Sequence, residues 1–250
     1  MPLMNILPPT AIPIFSAMRL KSLIANLLDS VVPCYCETCG CRLSLGELLM
    51  CSKCADILPR RSDAMSASDN TTLRLVGDIV GMERGAAWAD YVPHSAFSSV
   101  IYDMKYRSRP DIASSLGVIA ARELAPTGFF DGIDCIVPLP LHWRRESARG
   151  YNQSLEFALG LARVVGLPVE RLAVKRIRNT PSQTSLTPSQ RQKNVDGAFS
   201  LVRPSRVEGR HVLVVDDIIT TGASLASCLG EIAKAHGVTI SFLTIGRTMM

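Results

Sequence analysis

The 250-residue sequence predicts an α/β protein: a parallel sheet flanked by helices, behind a small cysteine-held module near the N-terminal end. Three observations predict it. From Trp88 onward, short apolar runs alternate with segments of helical period, the pattern of strand–helix–strand units. The run Val212-Leu-Val-Val-Asp-Asp-Ile-Ile-Thr-Thr-Gly-Ala-Ser224 joins a buried strand to an amphipathic helix through a polar turn. Six of the eight cysteines fall between Cys34 and Cys54.

Residues 1–32 read as a leader and an amphipathic helix. The first part is mildly apolar (Ile6, Leu7, Ile12, Ile14, Phe15) but broken by Pro2, Pro8, Pro9 and Pro13, and it lacks the charged start of a signal peptide. A helix is expected around Ser16 to Ser30, with Leu20, Leu23, Ile24, Leu27 and Leu28 on one face. Met1 or a later methionine such as Met18 is the start; the sequence leaves this open. Residues 33–60 hold the clustered cysteines. Residues 61–85 begin small and polar (Ser62, Asp63, Ser66, Ser68, Asp69, Asn70) and predict a linker or disordered loop.

Residues 86–250 carry the α/β domain. Trp88 to Val92 predicts a strand, Ala96 to Tyr106 a helix, and Asp111 to Leu124 a second helix after the break at Pro110. Ile133 to Leu139 is a buried strand ending in Val137-Pro-Leu-Pro140. Tyr151 to Val165 repeats Leu155, Ala158, Leu159 and Ala162 at helical spacing, and Leu172 to Ile177 is a strand. Val212 to Val215 and Ile240 to Ile245 are strands around the helix Ala223 to His236, which stops at Gly237. Ligands of such sheets bind beyond the carboxyl ends of the strands, where Asp216 and Asp217 fall.

That turn suits a ligand with phosphate at one end and sugar at the other. Backbone N–H groups at a glycine turn and a helix N-terminus attract phosphate, and Thr220, Thr221 and Ser224 add hydroxyl donors. Asp216 and Asp217 are wrong for phosphate and right for vicinal hydroxyls. The turn has no lysine for β- and γ-phosphates, which disfavours a P-loop. An Asp-Asp pair alone also suits a solvated turn or a helix cap.

Cys36-Glu-Thr-Cys39 and Cys51-Ser-Lys-Cys54 are two Cys-x-x-Cys pairs, and the two-residue gap lets both thiolates of a pair reach one tetrahedral ion. Cys36, Cys39, Cys51 and Cys54 are therefore the expected ligands of a structural zinc. Cys34 and Cys41 offer alternative partners. Disulfides suit an oxidising compartment, and a redox Cys-x-x-Cys needs only one pair. Charge is uneven: between His142 and His211 there are thirteen Lys/Arg against five Asp/Glu, within a net charge of +5. Such an excess fits a polyanion, either pyrophosphate or a nucleic-acid backbone. No run of eighteen apolar residues exists, so no membrane-spanning helix is expected and the chain reads as cytoplasmic.

Position by position, the Val212–Ser224 run resembles the PRPP-binding signature of type I phosphoribosyltransferases. From Pro33 to Arg247 the chain resembles the ComF/GntX family, a zinc ribbon joined to such a domain. Besides the cysteine pairs, the resemblance rests on Met104-Lys105-Tyr106, Val137-Pro-Leu-Pro-Leu-His142, Arg149-Gly-Tyr-Asn-Gln153, Arg178-x-Thr180-x-x-Gln183 and Arg191-x-x-Asn194-Val-x-Gly-Ala-Phe199. The extra cysteines beside the first pair and the proline-rich leader depart from the pattern.

The resemblance implies a type I phosphoribosyltransferase fold that binds PRPP with Mg²⁺. Asp216 and Asp217 would hold the ribose hydroxyls, and Thr220, Thr221, Gly222, Ala223 and Ser224 the 5-phosphate. Lys105, Arg144, Arg145 and Arg149 would meet pyrophosphate, and Gln183, Arg191 and Asn194 would belong to a hood loop over the site. It implies either a transferase acting on a base or amine, or a non-catalytic factor handling single-stranded DNA with the ribbon and a basic surface, in a setting of DNA uptake that would include a helicase partner. With no N-terminal cysteine to release ammonia, a complete glutamine amidophosphoribosyltransferase is not expected.

Overall fold

The computed structural model describes residues 33–179 and 197–249. The expected helix over 16–30 and the expected hood residues Gln183, Arg191 and Asn194 lie outside the described residues. The chain divides into two compact units, Met1–Ala55 and Asp56–Met250.

In the first unit the chain doubles back at Gly40, whose φ of +71° lies in the left-handed region. A bridge between Tyr35 and Arg42 closes the reversal. The helix α1 (Ser52–Asp56) follows, and the Glu47 carboxylate accepts from Ser44 N and Ser52 N, both at 2.7 Å. Cys51 and Cys54 lie one helical turn apart, so their thiols share a side.

The second unit is built on a four-stranded, all-parallel sheet. Its strands are β1 (Met82–Tyr91), β2 (Cys135–Pro138), β5 (His211–Ile219) and β6 (Thr239–Thr248), ordered β1-β6-β5-β2. The central strands bury Val212–Val215, Ile240, Phe242, Leu243 and Ile245, as expected of a sheet covered on both faces. Between β1 and β2 run α2 (Ala96–Tyr106), capped by the Ser95 hydroxyl accepting from Ser98 N at 3.1 Å, and α3 (Pro110–Leu124), with proline in its first turn. After β2 come the short α4 (Trp143–Arg149) and then α5 (Gln153–Val165), where the Asn152 side chain accepts from Ser154 N.

Helices α3 and α5 touch backbone to backbone. A Cβ on Gly160 would lie 2.1 Å from Ser114 O, and one on Gly117 2.4 Å from Phe157 O. Those two glycines let α5 sit close enough to bring its first residues to the end of β5. A two-stranded antiparallel hairpin, β3 (Val174–Arg176) and β4 (Phe199–Leu201), joins α6 (Ala223–Ile232) in one buried core with β2 and β5.

The structure corrects the reading of residues 61–85 as a linker: they hold two 3-10 turns, Asp63–Ser66 and Leu73–Val76, the second packed into the core, and the first residues of β1. Their polar side chains are internal partners. Asp63 is buried and accepts from Arg61 Nε at 2.9 Å, Thr72 Oγ1 at 2.5 Å and Ala87 N at 3.3 Å. Asn70 donates to Gly85 O at 2.7 Å and accepts from Thr72 N and Leu73 N. The same segment braces the phosphate-type turn: Gly222 has φ +76°, and a Cβ there would lie 2.5 Å from Leu75 O.

Candidate functional site

β5 extends four residues past the expected Val215. Asp216, Ile218 and Ile219 remain in register with Thr244, Gly246 and Arg247 of β6. On the other edge β2 stops at Pro138, opposite Val215, and leaves the sheet. From Asp216 onward β5 therefore has one open edge, and a cavity of about 440 Å³ lies there.

Both acids line this cavity, and each is held. Ser154, at the start of α5, donates its hydroxyl to Asp216 Oδ1 at 2.9 Å, and Asp217 N reaches the same oxygen at 2.8 Å. Lys105, in the last turn of α2, places Nζ 2.9 Å from Asp217 Oδ2. Burial, followed by the Asp217 charge, pushes the Asp216 carboxyl up to about 7. Asp216 thus holds its proton to higher pH than an ordinary carboxyl.

Thr220, Gly222, Ala223 and Ser224 line the cavity beside the acids. Thr221 is not among the lining residues; its buried hydroxyl has no hydrogen-bond partner among the described residues. Arg145 and Arg149, four apart on α4, reach the cavity wall. Arg144, expected with them, does not. It points away, its guanidinium 5.2 Å from the ring centre of Trp143, because adjacent helical positions diverge by about 100°. Arg149 donates to Gln153 Oε1 at 2.7 Å.

Arg176, at the end of β3, completes the wall, and no motif pointed to it. Its guanidinium lies 5.1 Å over the ring of Phe199, its cross-strand partner. Burial and the Arg145 charge lower its pKa, and burial and Arg149 lower that of Arg145. Four cations (Lys105, Arg145, Arg149, Arg176) thus face two carboxylates. The cavity is built to take net negative charge. Ser154 could have been found from the cap at Asn152, which fixes where α5 begins; Arg176 had no comparable signal.

In the first unit, the sulfurs of Cys36, Cys39, Cys41 and Cys51 all lie within 4.8 Å of one another. Cys39 and Cys51 are 3.8 Å apart, the spacing of about 3.8 Å that tetrahedral Zn–S bonds of about 2.3 Å require. Cys41 thus enters the mutual set in which the spacing predicted Cys54. The reversal at Gly40 brings the sulfur of the exposed Cys41 into the set, while Cys54, on α1, is buried and outside it. Burial raises the Cys36 thiol, but the N–H groups of Cys51, Cys39 and Thr38 outweigh it and hold it down at about 6. These donors and distances fit a zinc ion.

An acid pair and a glycine turn at the open carboxyl edge of a parallel sheet define a phosphoribosyltransferase-type domain. Residues 152–245 match the family described as Phosphoribosyl transferase domain. The DNA utilization protein YhgH of Shigella flexneri is 30% identical over 228 residues, 87% of this chain and 99% of that protein. Competence protein F of Haemophilus influenzae is 37% identical over 117 residues (46% of this chain, 49% of that protein), and competence protein ComFC of Bacillus subtilis 33% over 106 residues (41% of each). The chain belongs to the ComF family, whose members these are. Among the described residues, no helix is long and apolar enough to cross a membrane.

Proposed function

We propose that the second unit binds PRPP with Mg²⁺ and transfers or senses its phosphoribosyl group. The observation that supports this most is the convergence, in one cavity, of the Asp216–Asp217 pair, the Thr220–Ser224 turn and a wall of arginines. The turn takes the 5-phosphate on backbone N–H groups and on the hydroxyls of Thr220 and Ser224, with the N-terminal end of α6 behind it. Asp216 and Asp217 accept from the ribose hydroxyls, and Ser154 and Lys105 fix their orientation. Breaking the bond from ribose C1 to pyrophosphate leaves negative charge on the departing oxygen, which Arg145, Arg149 and Arg176 stabilise.

Two carboxylates beside an open cavity supply the oxygen ligands that Mg²⁺ takes, so Asp216 and Asp217, with the ligand's own oxygens, would hold it. When bound, the ion would offset charge on the leaving pyrophosphate. The cysteine cluster is read as a structural zinc site, which four thiolates close to substrate. Thiols kept free for zinc suit the cytoplasm.

A second reading is favoured by one observation. Trp143 is 64% exposed with the Arg144 guanidinium over its ring, a pairing that suits stacking against an unpaired base. Together with the relatives' names, it supports a factor that handles single-stranded DNA. Titration of PRPP with Mg²⁺, followed by an acceptor screen, separates the two. Turnover that Asp217→Asn abolishes supports a transferase; salt-sensitive single-strand binding that survives Asp217→Asn and falls with Trp143→Ala supports the second.

A further inference from the structure

We propose that Tyr151 is a positioning residue: its hydroxyl fixes the last turn of α2, holds Lys105 on Asp217, and ties that turn to the segment carrying the arginine wall. This rests on the reading of the cavity as a PRPP site.

Lys105 is the next-to-last residue of α2, on a flexible stem, and its Nζ lies 2.9 Å from Asp217 Oδ2. Helix ends fray, because their last carbonyls have no partner within the helix. At Ser108 the chain has already left α2, with φ +51°. Tyr151 meets this weak point: its hydroxyl donates to Met104 O, the carbonyl just before Lys105. Both residues are buried, and burial pushes the phenol up to about 12, so it stays a donor at working pH. Tyr151 is not among the residues lining the cavity, so it acts through Lys105.

Its neighbours in sequence each reach a different part of the site. Gly150, at φ +86°, ends α4 and turns the chain. Arg149 and Gln153, joined at 2.7 Å, line the cavity. Asn152 donates to Leu139 O at 3.0 Å, where the chain leaves β2. Ser154 donates to Asp216. Tyr151 adds α2 to this set. The lysine on one acid and the serine on the other are thus referenced to one short segment. Ring packing needs no hydroxyl, so Tyr151→Phe removes the tie and keeps the packing.

Two measurements test this. The first needs no ligand: competitive labelling of the full chain by acetic anhydride, read at each lysine by mass spectrometry. Against the exposed Lys234 as internal reference, Lys105 should label slowly in the parent. Its labelling should rise about threefold or more in Tyr151→Phe, as in Asp217→Asn. The second is calorimetric titration of PRPP with Mg²⁺. Tyr151→Phe should weaken binding about fivefold, and Lys105→Met by at least as much. The double variant should bind no more weakly than Lys105→Met, because nothing is left to position. Unchanged labelling in Tyr151→Phe, or losses that multiply in the double variant, would overturn the proposal. So would a Tyr151→Phe chain that fails to fold in urea titration, since the hydroxyl would then hold the fold rather than the lysine. A parent chain that binds no PRPP refutes the reading of the cavity, and the labelling result then decides the role of Tyr151 by itself.

Discussion

Replacing Asp216 by asparagine should stabilise the fold at pH 8 while abolishing ligand binding. Burial and the Asp217 charge raise this carboxyl from 3.8 to about 7. A raised acid binds its proton more tightly folded than unfolded, so its ionisation costs stability progressively as pH rises from about 4 through about 7. A shift of about three units corresponds to about 4 kcal/mol at higher pH in a sealed site. Asp216 faces an open, solvated cavity, which reduces the expected effect to about 1–2 kcal/mol. Asparagine keeps an acceptor for Ser154 and does not ionise. Urea unfolding of parent and Asp216→Asn, followed by tryptophan fluorescence at pH 4 and pH 8, measures the difference. The variant should be the more stable at pH 8, with a smaller margin at pH 4. A margin that is absent, or independent of pH, would refute the account of this acid.

Two further outcomes follow from particular contacts. Arg145→Ala should weaken PRPP binding about tenfold or more, and Arg144→Ala by less than about twofold, since only Arg145 lines the cavity; calorimetry at fixed salt distinguishes them. Asp63→Ala should cost about 3 kcal/mol in urea unfolding, because it takes the buried acceptor from Thr72 and the Ala87 amide and leaves Arg61 with Asp90 as its remaining carboxylate, whereas a linker residue would cost under about 0.5 kcal/mol.

What was legible in the sequence depended on how local each signal was. Helix α2 was expected at Ala96–Tyr106 and occurs there, because its apolar spacing and the Ser95 cap act within one turn. The acid pair and glycine turn were legible for the same reason. β5 was read as four residues because Asp216 and Asp217 look like a strand end. Only the stop of β2 at Pro138 shows that they lie on a strand with one open edge. Residues 61–85 looked solvated because their polar side chains are partnered by the backbone of β1, Asp63 by Ala87 N and Asn70 by Gly85 O, which is distant along the chain. Helix α4 buries no residue, so it left no apolar period to read. Arg176 enters the site through a strand pairing with Phe199, and pairings across a long connection leave no mark on composition. In the ribbon, symmetric spacing favoured Cys54, while a single left-handed glycine brings in Cys41.

The most direct test of the central claim is calorimetric titration of PRPP into the full chain with Mg²⁺ at pH 8. Saturable binding at one site per chain, lost in Asp216→Asn and Asp217→Asn and weakened in Arg176→Gln, is the predicted result. Absence of binding at millimolar PRPP, or binding unaffected by these substitutions, would contradict it.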